Sequence, residues 1–161
     1  MPEEPSTSTQ RDVHAVITAA AGRGVLGLLG IETVTVAPDR VELRLPVDER
    51  LHQPHGILHG GVSALLAETA ASFGAAITAP PLHRVVGIEL NASHLRAMRD
   101  GVLTAVATPV RLGRSVQVWE ISLTDDAGRE ICRCRCTLAV MGPGPDEPAA
   151  AAPAAEVPDD R

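Results

Sequence analysis

Between Gly60 and Leu82 one side chain is charged, Glu68, and the Ala-, Leu- and Gly-rich segment around it opens with His59-Gly60-Gly61. A solitary carboxylate among apolar neighbours is costly to bury unless it is used. The first turn of a helix leaves backbone N–H groups unpaired and carries partial positive charge. A helix starting at this His-Gly-Gly would therefore hold an anion or a developing oxyanion. Gly60 and Gly61 would let a substrate carbonyl approach those donors with no Cβ in the way. That is one half of an acyl-transfer site. The other half needs a base or nucleophile, and Glu68 is the only acid on the helix. It lies seven or eight residues beyond the glycines. That is about 10–12 Å along a helix axis, too far to reach the same carbonyl in its own chain. If both halves serve one reaction, the site is shared between two copies, and a twofold dimer supplies two such sites.

The elements that would position these groups follow from spacing. Val62, Leu65, Leu66, Thr69, Phe73 and Ile77 recur at helical intervals and form a stripe expected to face a core. The face formed by Ser63, Ala64, Ala67, Ala71, Gly74 and Ala75 is small rather than charged, which suits close approach by a second chain. Pro80-Pro81 ends the helix. Ahead of it, a short weak helix is expected over Val13 to Ala21, then a Gly-punctuated apolar run from Gly22 to Gly30. Strands Ile31–Ala37 and Arg40–Pro46 and a polar loop at Val47–Leu58 follow. Beyond the helix, Arg84–Met98, Gly101–Leu112, Ser115–Thr124 and Glu130–Met141 read as strands. The breaks between them, Arg99-Asp100-Gly101, Gly113-Arg114 and Asp125-Asp126-Ala127-Gly128, are turn-like and predict an antiparallel meander. One long helix beside an antiparallel sheet of five or six strands is an α+β layer arrangement. Residues 1–12 and the Pro/Ala/acidic stretch over 142–161 are expected to be disordered arms on a domain spanning 13–141.

The chain has 161 residues, 45% of them hydrophobic, enough for one domain with a sizeable core. The net charge of −6 comes from its ends: residues 1–12 hold three acids and one Arg, residues 142–161 five acids and one Arg, and the body twelve of each. A neutral body almost without aromatic residues gives no expectation of nucleic-acid binding. No stretch is read as long enough to span a membrane and no leader is seen, so a cytoplasmic location without membrane partners is expected. Lys and Tyr are absent, which removes Schiff-base lysine and tyrosine-acid mechanisms. Cys132, Cys134 and Cys136 alternate with Arg133 and Arg135, as buried small side chains on the inner face of a strand would. His52, His55 and His59 have no carboxylate or Cys nearby to complete a metal set, so no metal is expected.

The run Leu51-His52-Gln53-Pro54-His55-Gly56-Ile57-Leu58-His59-Gly60-Gly61-Val62-Ser63-Ala64-Leu65-Leu66-Ala67-Glu68-Thr69-Ala70-Ala71-Ser72 resembles the signature of hotdog-fold acyl-CoA thioesterases. It is most similar to the PaaI and 4-hydroxybenzoyl-CoA thioesterase branch. Val86-Gly87-Ile88-Glu89-Leu90-Asn91-Ala92-Ser93-His94 and Leu112-Gly113-Arg114-Ser115-Val116-Gln117-Val118-Trp119 extend the resemblance, which covers residues 13–141. It implies a helix wrapped by an antiparallel sheet, and homodimers, in part of the family paired into tetramers, with composite sites. It also implies roles by matching position. The N–H of Gly61, with Gly60 beside it, would polarise the thioester carbonyl, and His59 would assist at the carbonyl or thiolate. Gln53 would position substrate or water. Glu68 of the facing chain would act as base or nucleophile, with Ser72 holding the water. No separate cofactor is implied, coenzyme A being part of the substrate.

Coenzyme A needs its phosphates matched as well as its thioester. From Arg84 to Ser115 five Arg face Glu89 and Asp100, a local excess of three positive charges. Arg114 with Ser115 resembles the family's CoA-contacting turn, followed by Arg99 and Arg111. The same excess would suit an acyl carrier protein. His94 shares an apolar strand face with Leu90 and Ala92 and is a candidate for the acyl pocket, while Asn91 falls on the opposite face if the alternation is unbroken. Two other functions compete with thioester hydrolysis. One is a non-catalytic acyl-CoA-binding module; the other is a hotdog hydratase or dehydratase, which would set its acid and base around Cα and Cβ rather than at a carbonyl.

Overall fold

The computed structural model describes residues 22–142 together with Ala15, Ile17 and Ala19. Those three are helical and Ile17 is buried. The rest of the expected helix over 13–21, the arm over 1–12 and the tail from 143 onward lie outside the described residues.

The apolar run after Gly22 forms a short helix, α1 (Gly24–Leu29), closed by Gly30 in the left-handed region at φ 70°. Strands β1 (Glu32–Ala37) and β2 (Arg40–Val47) follow. The expected polar loop carries a 3-10 turn (Glu49–Leu51) and a miniature hairpin of β3 (His52–Gln53) and β4 (Ile57–Leu58). The long helix α2 spans Gly60–Thr78. After it come β5 (Arg84–His94), β6 (Gly101–Leu112), β7 (Val116–Thr124) and β8 (Glu130–Met141). Ala79 is the last cap of α2, ahead of Pro80.

Six strands form one antiparallel sheet in the order β1-β2-β6-β7-β8-β5, curled around α2. Strict alternation builds the inner face: Leu43 and Leu45 of β2, Leu103 and Ala105 of β6, Trp119 and Ile121 of β7 are all sealed from solvent. Cys132, Cys134 and Cys136 are free thiols on the inner face of β8, while Arg133 and Arg135 are exposed, as their alternation predicts.

Three expectations are corrected. The stripe of larger apolar residues is not the buried face of α2. Ser63, Leu66, Ala67, Ala70, Ala71, Gly74, Ala75 and Ile77 are buried, whereas Val62, Leu65, Thr69 and Phe73 are only half-buried. The inner face of the sheet already supplies bulk, above all Trp119, and a Cβ on Gly74 would collide with that indole. The helix therefore turns its small side to the sheet, and Ala67 and Ala71 are spent on the chain's own core instead of a second chain. The second correction concerns topology. β6, β7 and β8 form a meander, but β5 pairs with β8 and not with β6. The strand expected over Arg84–Met98 ends at His94, and residues 95–100 cross beneath β8 and β7, anchored where the Leu95 and Arg96 N–H groups donate to the Ile131 carbonyl. Three strand spacings are about 14 Å, within the reach of about 20 Å that six extended residues allow. The third is that α2 is long and apolar enough to cross a membrane by length and composition; the sheet wraps it as the core helix of the domain.

Candidate active site

His59 caps α2. Its Nδ1 accepts from the Gly61 N–H at 2.9 Å, so Nδ1 is unprotonated and the neutral ring carries its proton on Nε2. The two glycine N–H groups expected at the carbonyl therefore differ in their partners. The Gly61 N–H is already engaged, while the Gly60 N–H has no acceptor among the described residues. Gly60 lines a cavity of about 320 Å³ shared with Gln53, Leu58, Ser63 and His94. The His94 ring lies directly over the glycine: a Cβ at Gly60 would sit 2.7 Å from its Nε2. Glycine is needed here for close approach. Three sequence candidates, Gln53, Gly60 and His94, thus meet at one place with the helix dipole behind them.

Glu68 and Ser72 are elsewhere. With Gly61, Leu65 and Phe73 they line a separate cleft of about 520 Å³ on another side of α2. The expected buried carboxylate is exposed in the single chain and has no hydrogen-bond or ion-pair partner among the described residues. It rests against β5, where a Cβ on Gly87 would strike its Oε1. β5 is the outer strand of the sheet, hydrogen-bonded to β8 on one side only. Val86 (44%) and Ile88 (58%) are exposed along it, an unpaired apolar edge of the kind that invites another strand.

The remaining candidates are dispersed. Asn91 pairs with Arg135 and His94 with Cys132 in an unbroken register, so Asn91 is on the outer face, away from the cavity. Arg111, Arg114 and Ser115 cluster at the β6–β7 turn, exposed. Arg99 is at the other end of β6, more than about 30 Å off at the usual strand rise. Its Nη1 donates to the Gly56 carbonyl at 2.6 Å. Of the His52, His55 and His59 trio, His52 donates from Nε2 to the Arg99 carbonyl at 2.6 Å and His59 is the cap just described. No cluster of three His, Cys, Asp or Glu is found among the described residues.

Two cavity residues were missed from sequence. Ser63, 2% exposed, is one helical turn after Gly60, and that i+3 spacing is the signal that would have found it. Arg96, two residues past His94, lines the same cavity, but the end of β5 before it hides the relation.

Burial holds the thiols neutral. It pushes Cys134 up to about 12, with the neighbouring cysteines adding to the effect. Burial likewise pushes Cys136 up to about 11, helped by the charges of Glu68 and Glu89. Neither is a nucleophile near neutrality.

The Thioesterase superfamily model matches residues 55–132. A 1,4-dihydroxy-2-naphthoyl-CoA hydrolase of Listeria monocytogenes is 47% identical over 117 residues, 73% of this chain and 95% of that protein. A proofreading thioesterase, EntH, of Cronobacter turicensis is 47% identical over 71% of this chain and 83% of its own length. Among solved structures, a thioesterase from Haemophilus influenzae superposes with a TM-score of 0.74 at 39% identity, over 81% of this chain and 90% of its own. A Gln-to-Ala variant of a thioesterase from Pseudomonas aeruginosa gives 0.74 at 36% identity, over 86% of this chain and 96% of its own. With the helix, the wrapped sheet and the His-Gly-Gly cap on the page, the chain is a hotdog-fold thioester hydrolase belonging to the thioesterase superfamily.

Proposed function

We propose that this protein hydrolyses acyl-CoA thioesters of aryl or medium-sized acyl groups in a site completed by a second copy. The observation that carries the reading is the division of its chemistry: Gln53, the Gly60 N–H and His94 share one cavity, and Glu68 lies apart, against the unpaired β5 edge. An antiparallel pairing of two β5 edges centred between Leu90 and Asn91 sets Gly87 of one copy opposite His94 of the other. Glu68 is then carried to the partner's cavity, and the exposed Val86 and Ile88 are covered. Pairing two such dimers into a tetramer is compatible with this and adds nothing to the chemistry.

The Gly60 N–H donates to the thioester carbonyl oxygen and stabilises the charge that develops there, with His59 Nε2–H and Gln53 orienting carbonyl and water. Glu68, with Ser72 holding the water, removes a proton as the water oxygen attacks the carbonyl carbon; the C–S bond then breaks and the thiolate takes up a proton. Attack by the Glu68 carboxylate itself, through an anhydride, gives the same products. Label found in Glu68 after a single turnover in H₂¹⁸O identifies the anhydride route with water attacking the Glu68 carbonyl, since direct hydrolysis puts label only in the released acid. Arg114 and Ser115, with Arg111, serve the nucleotide phosphates from the β6–β7 turn. No cofactor beyond the substrate's own coenzyme A enters, and the location that suits such a substrate is the cytoplasm. The 47% identity to a dihydroxynaphthoyl-CoA hydrolase supports an aromatic acyl group.

The test is thiol release from a panel of aryl- and alkyl-acyl-CoAs and one acyl carrier protein thioester, run on the protein and on Glu68→Ala. Turnover that disappears in a variant of unchanged size supports the reading and ranks the substrates. Tight CoA binding with no release from either protein supports the binding-module alternative, and water addition to an enoyl-CoA supports the hydratase.

A further inference from the structure

We propose that Arg99 is a positioning residue for Gln53, holding the β3–β4 hairpin in a clamp, and that coenzyme A is not its ligand. The proposal rests on the role given to Gln53 above. Two strands of two residues, His52 paired with Leu58 and Gln53 with Ile57, form a sheet of their own, apart from the six-stranded one. A hairpin that small has little stability by itself. What fixes it is the crossover after His94.

Three bonds join the two segments. The Leu58 N–H donates to the Met98 carbonyl at 2.7 Å, His52 Nε2 donates to the Arg99 carbonyl at 2.6 Å, and Arg99 Nη1 donates to the Gly56 carbonyl at 2.6 Å. Arg99 thus grips the hairpin twice, through its backbone at the residue before Gln53 and through its guanidinium at the turn beyond it. Gly56 has a φ of 68°, the left-handed region that favours glycine, and this turn points its carbonyl at Arg99 Nη1. The crossover that supplies Met98 and Arg99 also supplies Leu95 and Arg96 to the cavity wall, directly after His94. Gln53 and His94 are therefore held in one frame of reference, and Arg99 closes it. Its distance from Arg114 along β6 fits this assignment, since the two cannot meet one nucleotide within a chain.

The experiment is a double-mutant cycle on the intact protein: Gln53→Ala, Arg99→Ala and the pair, with kcat and KM from thiol release and the inhibition constant of free coenzyme A for each. Expected is a fall in kcat of about tenfold for Arg99→Ala, with KM and the CoA inhibition constant within about twofold, because a displaced Gln53 is lost from the transition state and not from binding. In the pair, Arg99→Ala adds less than about twofold to the loss caused by Gln53→Ala. Should Arg99→Ala fail to fold by circular dichroism, His52→Ala removes one bond of the same clamp and is read the same way. Weaker inhibition by CoA, or losses that multiply in the pair, overturn the clamp while leaving Gln53 in its role. An unchanged kcat in Gln53→Ala removes Gln53 from the reaction and takes the clamp's purpose with it.

Discussion

The two ends of the chemistry on α2 are built to opposite standards. Around Gly60 two polar groups are fixed: His59 by its cap bond and Gln53 by the clamped hairpin. The Glu68 carboxylate is not fixed; it stands in an open cleft against Gly87 with no hydrogen-bond or ion-pair partner among the described residues. Groups that meet developing charge gain from being set in advance, since their reorganisation is then complete before the reaction starts. A base needs a free lone pair and the right neighbour. On the reading proposed above the neighbour comes from a second copy, so that each chain would fix the electrophilic half and present the basic half at its edge.

Removing either half should be severe and should affect kcat. Glu68→Gln is expected to lower kcat by roughly 10²- to 10⁴-fold while substrate binding holds within about threefold, read by steady-state thiol release. The sharing of the site is tested by mixing. Glu68→Ala and Gln53→Ala chains, refolded together in equal amounts, should recover about a quarter of wild-type activity, because half of the dimers then contain one intact site of two. Activity that stays at the level of the separate variants would put both halves in one chain and break the comparison.

Two glycines of one helix sharpen it further. Gly60→Ala directs a methyl at the His94 ring, which is at the surface and can swing away; the fold should keep its Tm while kcat falls by roughly 10- to 100-fold. Gly74→Ala directs the same methyl at Trp119, which is wholly buried and cannot move. That variant should lose about 1–3 kcal/mol by denaturant unfolding with kcat intact at a temperature where it is folded.

The sequence states plainly where elements begin and end and is silent on what they face. His-Gly-Gly and Pro-Pro bracket α2, and β6 and β8 run over the residues their patterns predict, because start, stop and alternation are local properties. The buried face of α2 is the small one and not the stripe of larger apolar residues that its periodicity predicts. Trp119, which makes smallness necessary, is 45 positions away from Gly74 in the chain. Arg99-Asp100-Gly101 signals a reversal correctly, yet no turn says which strand the returning chain will pair with. The Gln53, Gly60 and Glu68 candidates were legible because they fall in one motif. That His94 overlies Gly60, and that His59 takes the Gly61 N–H, depend on the crossover and on a rotamer, neither of which spacing encodes.

The smallest effect tests whether the open half is electrostatically quiet towards its own core. Cys136 is beneath α2, and its thiol, at about 11, is raised first by burial and then by the Glu68 and Glu89 charges. Cys134 is raised to about 12, from an ordinary value near 9, by burial before its neighbours. Thiols raised on folding contribute stability that is complete below pH 9 and is lost as the pH rises from there through about 11 to 12. The folded protein should accordingly resist iodoacetamide at pH 8 and be labelled at Cys132, Cys134 and Cys136 once denatured, as mass spectrometry would count. Its unfolding free energy should decline as the pH passes 9, and Cys134→Ala should flatten that decline. Glu68→Gln removes one of the charges acting on Cys136, so the folded thiol should ionise at a lower pH, nearer its unfolded value, and the alkaline loss of stability should be slightly smaller. A limb unchanged by Glu68→Gln would mean that the exposed carboxylate is screened from Cys136, and that burial alone raises the thiol.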